Sequence, residues 1–181
     1  MTESLHGTQV MYWNQSYQRW AAQELFSFGW FFNIVFLIVL YTVWIKIVDK
    51  RRIKELLLFG SFISVAAGFV DVIAVSSGLW EYKIRLFPIN PATFPFDYTV
   101  VPIFYMIVMQ YTSSWRGYLI GSLLAAGVFA FVISPIYINL GIKQYHNFNY
   151  FYMFLLVFGV TTFIKTVYNW LTKIEFKNAR Y

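Results

Sequence analysis

The chain has 181 residues, of which 59% are hydrophobic and only 12% charged, with a net charge of +6. Soluble domains run at roughly 45–50% apolar and about 25% charged residues, so a water-soluble fold is excluded: 181 residues could not cover that much apolar surface. There is no cysteine, hence no disulfide framework or thiol chemistry, and the basic residues flank apolar runs, where anionic lipid headgroups explain them better than nucleic acid.

Residues 1–24 are polar and aromatic, with no basic stretch leading into an apolar core, so no secretory signal peptide is expected. Within them, "TQVMYWNQSYQRWAAQE" (8–24) places Val10, Trp13, Tyr17 and Trp20 at helical spacing. That pattern predicts an interfacial amphipathic helix, either an anchor or a lid over an outward cavity. Five apolar segments follow, at about 26–48, 55–79, 96–112, 117–140 and 150–171. A bilayer core takes about 20 residues of helix. The third segment is short, and Pro102 stands near its start, in the first turn or at a kink. The predicted fold is therefore an all-α integral membrane protein, one membrane domain over 1–181, with five transmembrane helices after an interfacial helix.

Charge sets the orientation. Lys46, Lys50, Arg51, Arg52, Lys54, Arg116, Lys165, Lys173, Lys177 and Arg180 fall at one end of these segments, and Arg19, Lys83, Arg85 and Lys143 at the other. Basic loops stay cytoplasmic. The expectation is a multi-pass protein of the bacterial cell membrane, N-terminus outside and C-terminus cytoplasmic.

A charge within a span costs roughly 2.5–3.5 kcal/mol on insertion scales, which singles out Asp71 in the second segment. Helical spacing groups it with Ser61, Ser64, Gly68, Val75 and Gly78, a small and polar stripe that predicts a bundle-facing side. Its role is either a hydrogen-bond clamp between helices or a proton-handling or headgroup contact. Asp97 precedes the third segment and reads as a helix N-cap or as a partner of Asp71 and Glu81. Lys83 and Arg85 are candidates to neutralise these acids. Trp80 and Tyr82 are expected at the membrane boundary. Pro88, Pro91 and Pro95 block helix propagation in "FPINPATFPF", which makes it a rigid outer loop or the rim of a cavity mouth. Gly121, Ser122, Ala125 and Ala126 predict close helix packing or a homodimer face, and Asn33, Tyr105 and Gln110 predict bonds between helices. Lys165 is expected to snorkel. The ligand-binding or proton-handling candidates are thus Asp71, Trp80, Glu81, Tyr82 and Asp97, with no catalytic residue identified.

Motifs of soluble enzymes are absent: no GxGxxG, Walker lysine loop, HExxH or GxSxG. The two histidines, His6 and His146, lack spaced ligand partners, so no metal and no cofactor are expected. The run of Asp71, Gly78–Leu79–Trp80–Glu81–Tyr82, a proline-spaced loop, Phe96–Asp97 and Pro102 resembles a family of small multi-spanning membrane proteins of bacilli and clostridia. That family has no established activity, so the resemblance implies architecture rather than a reaction. The same run is distantly similar to heterodimeric-type lycopene cyclase domains, which work with paired glutamates on a polyene. At the matching position, Pro95–Phe96–Asp97–Tyr98, this chain has one acid, an aspartate. This second resemblance implies an isoprenoid-shaped pocket. Three roles follow as expectations: binding or handling of a lipidic, isoprenoid-like ligand in the outer half of the bilayer; a proton- or ion-coupled carrier subunit; or a non-catalytic scaffold. The expected partners are membrane lipid, a hydrophobic small molecule, and a second copy or another membrane protein, but no nucleic acid.

Overall fold

The structure, a computed structural model, describes residues 2–89 and 96–178. Pro91, Pro95 and Arg180 lie outside the described residues. Among the described residues, seven α-helices and one short ribbon are formed: α1 (Thr2–Arg19), α2 (Phe28–Ile47), α3 (Ile53–Ser76), β1 (Trp80–Tyr82), α4 (Val101–Tyr111), α5 (Trp115–Val128), α6 (Ser134–Asn139), β2 (Lys143–Tyr145) and α7 (Tyr150–Asn178). Four helical stretches are long and apolar enough to cross a membrane: Phe28–Ile47, Lys50–Ser76, Trp115–Asn139 and Tyr150–Glu175.

The third apolar segment is not among those four. With the π-helical turn Phe96–Val100 it holds 16 helical residues up to Tyr111, about 24 Å at 1.5 Å per residue. Yet it is the most enclosed helix: Val100, Ile103, Tyr105, Met106 and Met109 are all buried. Its neighbours are α3 and α5. Exposed apolar surface is found elsewhere, as on α2, where burial is confined to Gly29, Asn33 and Leu37, one stripe at i, i+4 and i+8.

Prolines and π turns coincide. Pro102 and Pro135 are each the second residue of a helix that continues a π turn, Phe96–Val100 in one case and Phe129–Ile133 in the other. A helical proline lacks the N–H that would bond the carbonyl four residues back and crowds that carbonyl. Here those carbonyls belong to Tyr98 and Phe131, both inside the π turns, where the ladder is already widened. The helices therefore run on past both prolines.

α3 and α6 end alike. Ser77 and Leu140 cap them, and Gly78 (φ 70°) and Gly141 (φ 67°) follow in the left-handed region. Leu79 N–H then reaches Ala74 C=O and Ile142 N–H reaches Tyr137 C=O, both at 2.9 Å, the bonds that close a Schellman turn. Each turn delivers the chain into a strand. Gly141→Ala should cost about 1–2 kcal/mol, the left-handed penalty of an L side chain, read as a lower melting temperature in detergent.

β1 and β2 pair antiparallel, with Trp80 opposite Tyr145, Glu81 opposite Gln144 and Tyr82 opposite Lys143. The ribbon joins two loops at one end of the bundle. At the other end, Gln110 on α4 ties the α2–α3 connection: its Oε1 accepts from Asp49 N–H at 2.8 Å, and its Nε2 donates to Ile47 C=O at 2.9 Å. The small face of α5 is used inside the chain. Ser122, Ala125 and Ala126 are buried, Ser122 Oγ lies 3.2 Å from Thr161 Oγ1 of α7, and a Cβ on Gly121 would meet Val108 of α4 at 2.9 Å.

α1 is helical, but its apolar residues do not keep to one stripe. Met11 and Tyr12 are exposed, as are Val10, Trp13 and Tyr17. It is fastened at its C-terminal end. Glu24 closes the π turn Trp20–Glu24 and is 1% exposed. Its Oε1 accepts from Arg85 Nη2 at 2.6 Å, and its Oε2 from Arg85 Nε at 2.9 Å and from Arg85 backbone N–H at 2.8 Å. Arg85 Nη1 donates to Ser16 Oγ at 2.8 Å, and Trp20 Nε1 to Arg85 C=O at 3.0 Å.

Candidate functional site

Asp71 lies on the buried side of α3, at 2% exposure. That side is not the stripe expected from sequence. It runs Leu56, Phe59, Gly60, Ile63, Gly68, Asp71 and Ala74, about a quarter turn round the helix from Ser61 and Val75 at 100° per residue. Ser61 is exposed and donates to its own helix at Leu57 C=O. Large apolar residues won the buried face, and Ser61 satisfied itself locally.

Asp71 Oδ1 accepts two hydrogen bonds, from Trp80 Nε1 at 2.9 Å and from Tyr82 Oη at 2.7 Å. The period of two along β1 explains this: Trp80 and Tyr82 point inward together and Glu81 points out. Trp80 and Tyr82 are buried inside the protein. Two corrections to the sequence expectation follow. Glu81 does not join the acids; its half-exposed carboxylate lies 3.7 Å from His146 Nε2. Arg85 is committed to Glu24 and Lys83 is exposed, so neither neutralises Asp71.

The cation in that place is Lys143. Because β2 pairs Tyr82 with Lys143, its side chain enters the same layer. Nζ lies 4.2 Å from the Trp80 ring centre, 5.0 Å from Tyr82 and 5.3 Å from Tyr145. Trp80 and Tyr82 thus bond the anion through their polar edges and the cation through their π faces. Sequence reading counted Lys143 only as a basic loop residue. Its one local signal was a position two residues after a Gly turn, mirroring Trp80 after Gly78. Burial pushes the Lys143 ammonium down to about 8, against the opposing pull of Asp71 and Asp97. Burial, and then the same two carboxylates, hold the Tyr82 phenol well above its ordinary range.

Asp97 sits in the first turn of the Phe96–Val100 π helix and is buried. Asp71, Asp97 and Lys143 line one cavity of about 80 Å³ between α3, the two π turns and α7, and its other walls are mainly apolar, Ile63, Val101, Phe129 and Val157 among them. About one probe sphere's worth, roughly 10–15 Å³, accommodates a water, so the cavity has room for several waters or a slim apolar chain. Three buried polar atoms of its lining residues have no hydrogen-bond partner among the described residues: Asp71 Oδ2, Asp97 Oδ2 and Tyr137 Oη. Sequence reading missed Tyr137. Phe96 packs edge-on to its ring at 4.4 Å between centroids.

Trp80 and Tyr82 also back a second, polar cleft of about 420 Å³ beneath α1, edged by Gln15, Ser16, Arg19 and His146. The two rings are a shared wall between that cleft and the apolar cavity. Lys165 belongs to the opposite end, above the rings of Phe59, Tyr118 and Tyr168. Comparison with known proteins gave no matching family model, no matching curated protein and no matching solved structure.

Proposed function

We propose that this chain is a multi-pass protein of the bacterial cytoplasmic membrane that binds a lipidic, isoprenoid-like ligand within the outer half of the bilayer. In this reading it crosses five times, with the N-terminus outside and the C-terminus in the cytoplasm. The basic residues at the Gln110 end, from Lys46 to Lys54 with Arg116 and Lys173, support that orientation through the positive-inside rule. The enclosure of α4 supports the fifth crossing, because a helix packed against neighbours need not match the lipid thickness.

One observation carries the ligand: three unpartnered polar atoms converge on a cavity whose remaining walls are mainly apolar. Buried polar atoms are normally satisfied, and a ligand with a polar head and an apolar body would satisfy these. Native mass spectrometry in mild detergent tests the proposal. The wild type should retain a discrete small mass that Asp71→Asn loses. A bare protein in both cases removes the ligand reading. A proton-coupled carrier is the second reading, favoured by three ionisable groups sharing one cavity. It predicts dissipation of a pH gradient across proteoliposomes, lost in Asp71→Asn.

A further inference from the structure

Among the described residues, Lys143 is the only lysine that is buried. Among the described residues, the ion pairs within 4.0 Å are Arg19–Glu24, Arg52–Glu55, Arg85–Glu24 and Glu81–His146. Lys143 is in none of them. Its Nζ is held by the faces of three rings instead, and ring faces leave the nitrogen lone pair unused once the proton departs. The side chain opens onto a mainly apolar cavity also lined by Asp71 and Asp97, whose buried Oδ2 atoms have no hydrogen-bond partner among the described residues. The cavity runs past Ile63 to Asp71 on α3 and past Met153 to Thr161 on α7, eight residues on each, or about 12 Å at 1.5 Å per residue.

A desolvated lysine amine, a proton relay and an apolar slot are the requirements of imine chemistry. Resting on the ligand reading above and deepening it, we infer that Lys143 captures an apolar aldehyde as a Schiff base, its chain lying in the cavity and Asp71 and Asp97 serving as proton relay and counter-ion. The step balances as follows. The Lys143 ammonium gives one proton to a carboxylate. The free amine attacks the carbonyl carbon, a C–N bond forms, and a proton passes from nitrogen to the former carbonyl oxygen. The carboxylic acid then protonates that hydroxyl, which leaves as water, and the nitrogen lone pair closes the C=N bond. The product is a protonated imine with its positive charge where the ammonium stood. The rings that face the ammonium can face the iminium, and the mainly apolar walls limit the water needed for hydrolysis. The titratable groups facing Nζ are Asp71 from α3, Asp97 from the π turn, Tyr82 from β1 and Tyr145 from β2. Burial outweighs the two carboxylates and lowers the amine to about 8, so its unprotonated share at pH 8 exceeds that of an exposed lysine.

Lys165 is the internal control. It too sits over three rings, but it is only partly buried and lines an open groove of about 1080 Å³ at the other end, beside Glu55 and Glu175. The full chain in mild detergent at pH 8 is incubated with decanal, treated with borohydride to fix any imine as a secondary amine, and mapped by peptide mass spectrometry. Lys143 should carry the decyl group at roughly tenfold or greater excess over Lys165 and the surface lysines, given its larger free-amine fraction. Lys143→Arg, which keeps a cation over the rings, should abolish that adduct while the protein still melts cooperatively. Lys143→Gln serves if the arginine does not fit. Retention of the unreactive analogue decanol is measured in parallel by native mass spectrometry. Decanol bound with no Lys143 adduct overturns the aldehyde inference alone. Neither bound nor adducted overturns the cavity reading as well. Labelling spread evenly over all lysines, or unchanged by Lys143→Arg, also overturns the inference.

Discussion

Glu24→Ala should destabilise the fold by about 3–5 kcal/mol, because it strands a buried guanidinium without its counter-ion. Arg85 is 6% exposed and Glu24 1%. They meet through two side-chain bonds, at 2.6 and 2.9 Å, and Glu24 also accepts the Arg85 backbone N–H. Arg19, 3.6 Å from Glu24, is half-exposed and cannot replace it for Arg85. In a chain of this length the loss corresponds to a fall of roughly 6–20 °C in melting temperature, measured by thermal unfolding in detergent. Arg85→Lys should lose the fork geometry and part of the stability. The double variant Glu24→Met with Arg85→Met should recover much of it, since it leaves no unpaired charge behind. If the single variants melt like the wild type, the pair is not closed to water in solution.

The clamp matters beyond stability. It is the point where α1 is fixed to the segment carrying β1, and β1 carries both rings that bond Asp71. A protein with Glu24 replaced should therefore expose α1 to protease before the bundle unfolds, because α1 has few other buried side chains.

Much of the architecture was legible in the chain. Long apolar runs and basic clusters mark helices long enough to span a membrane, since lipid tolerates only satisfied backbone. Asp71 and Asp97 were legible as expensive charges. Lys143, Glu24 and Tyr137 were not. Lys143 reaches Asp71's layer through the pairing of its strand residue with Tyr82, 61 residues away, and no local pattern encodes that pairing. Glu24 and Arg85 are 61 residues apart; in the sequence Glu24 ends the expected interfacial helix and Arg85 reads as a partner of Asp71, Glu81 and Asp97. Glu81 misled for the opposite reason. It adjoins Trp80 and Tyr82 in sequence, but in an extended strand neighbours face opposite ways. The buried face of α3 was misplaced because small polar residues were ranked above Leu56, Phe59 and Ile63.

Asp71→Ala should detach the ribbon from the bundle. The substitution leaves Trp80 Nε1–H and Tyr82 Oη–H buried and unpartnered, and hydrogen bonds to charged groups contribute about 1.5–3 kcal/mol each. Both converge on one oxygen, so the expected loss is sub-additive, about 3–5 kcal/mol in all. Lys143 also loses one of the two carboxylates that hold its charge. Asp71→Asn keeps an acceptor in place and loses chiefly the charge, so its cost should be smaller, about 1–3 kcal/mol. Hydrogen exchange separates these outcomes. Lys83 N–H and Ile84 N–H bond Ile142 C=O, and His146 N–H bonds Leu79 C=O, so these amides report on the joined loops. They should lose protection in Asp71→Ala and keep most of it in Asp71→Asn, while amides of α4 and α5 stay protected in both. Protection unchanged in Asp71→Ala would mean that the ribbon is held by its own pairing and by Lys143 over the rings, and that Asp71 is free to serve the cavity alone.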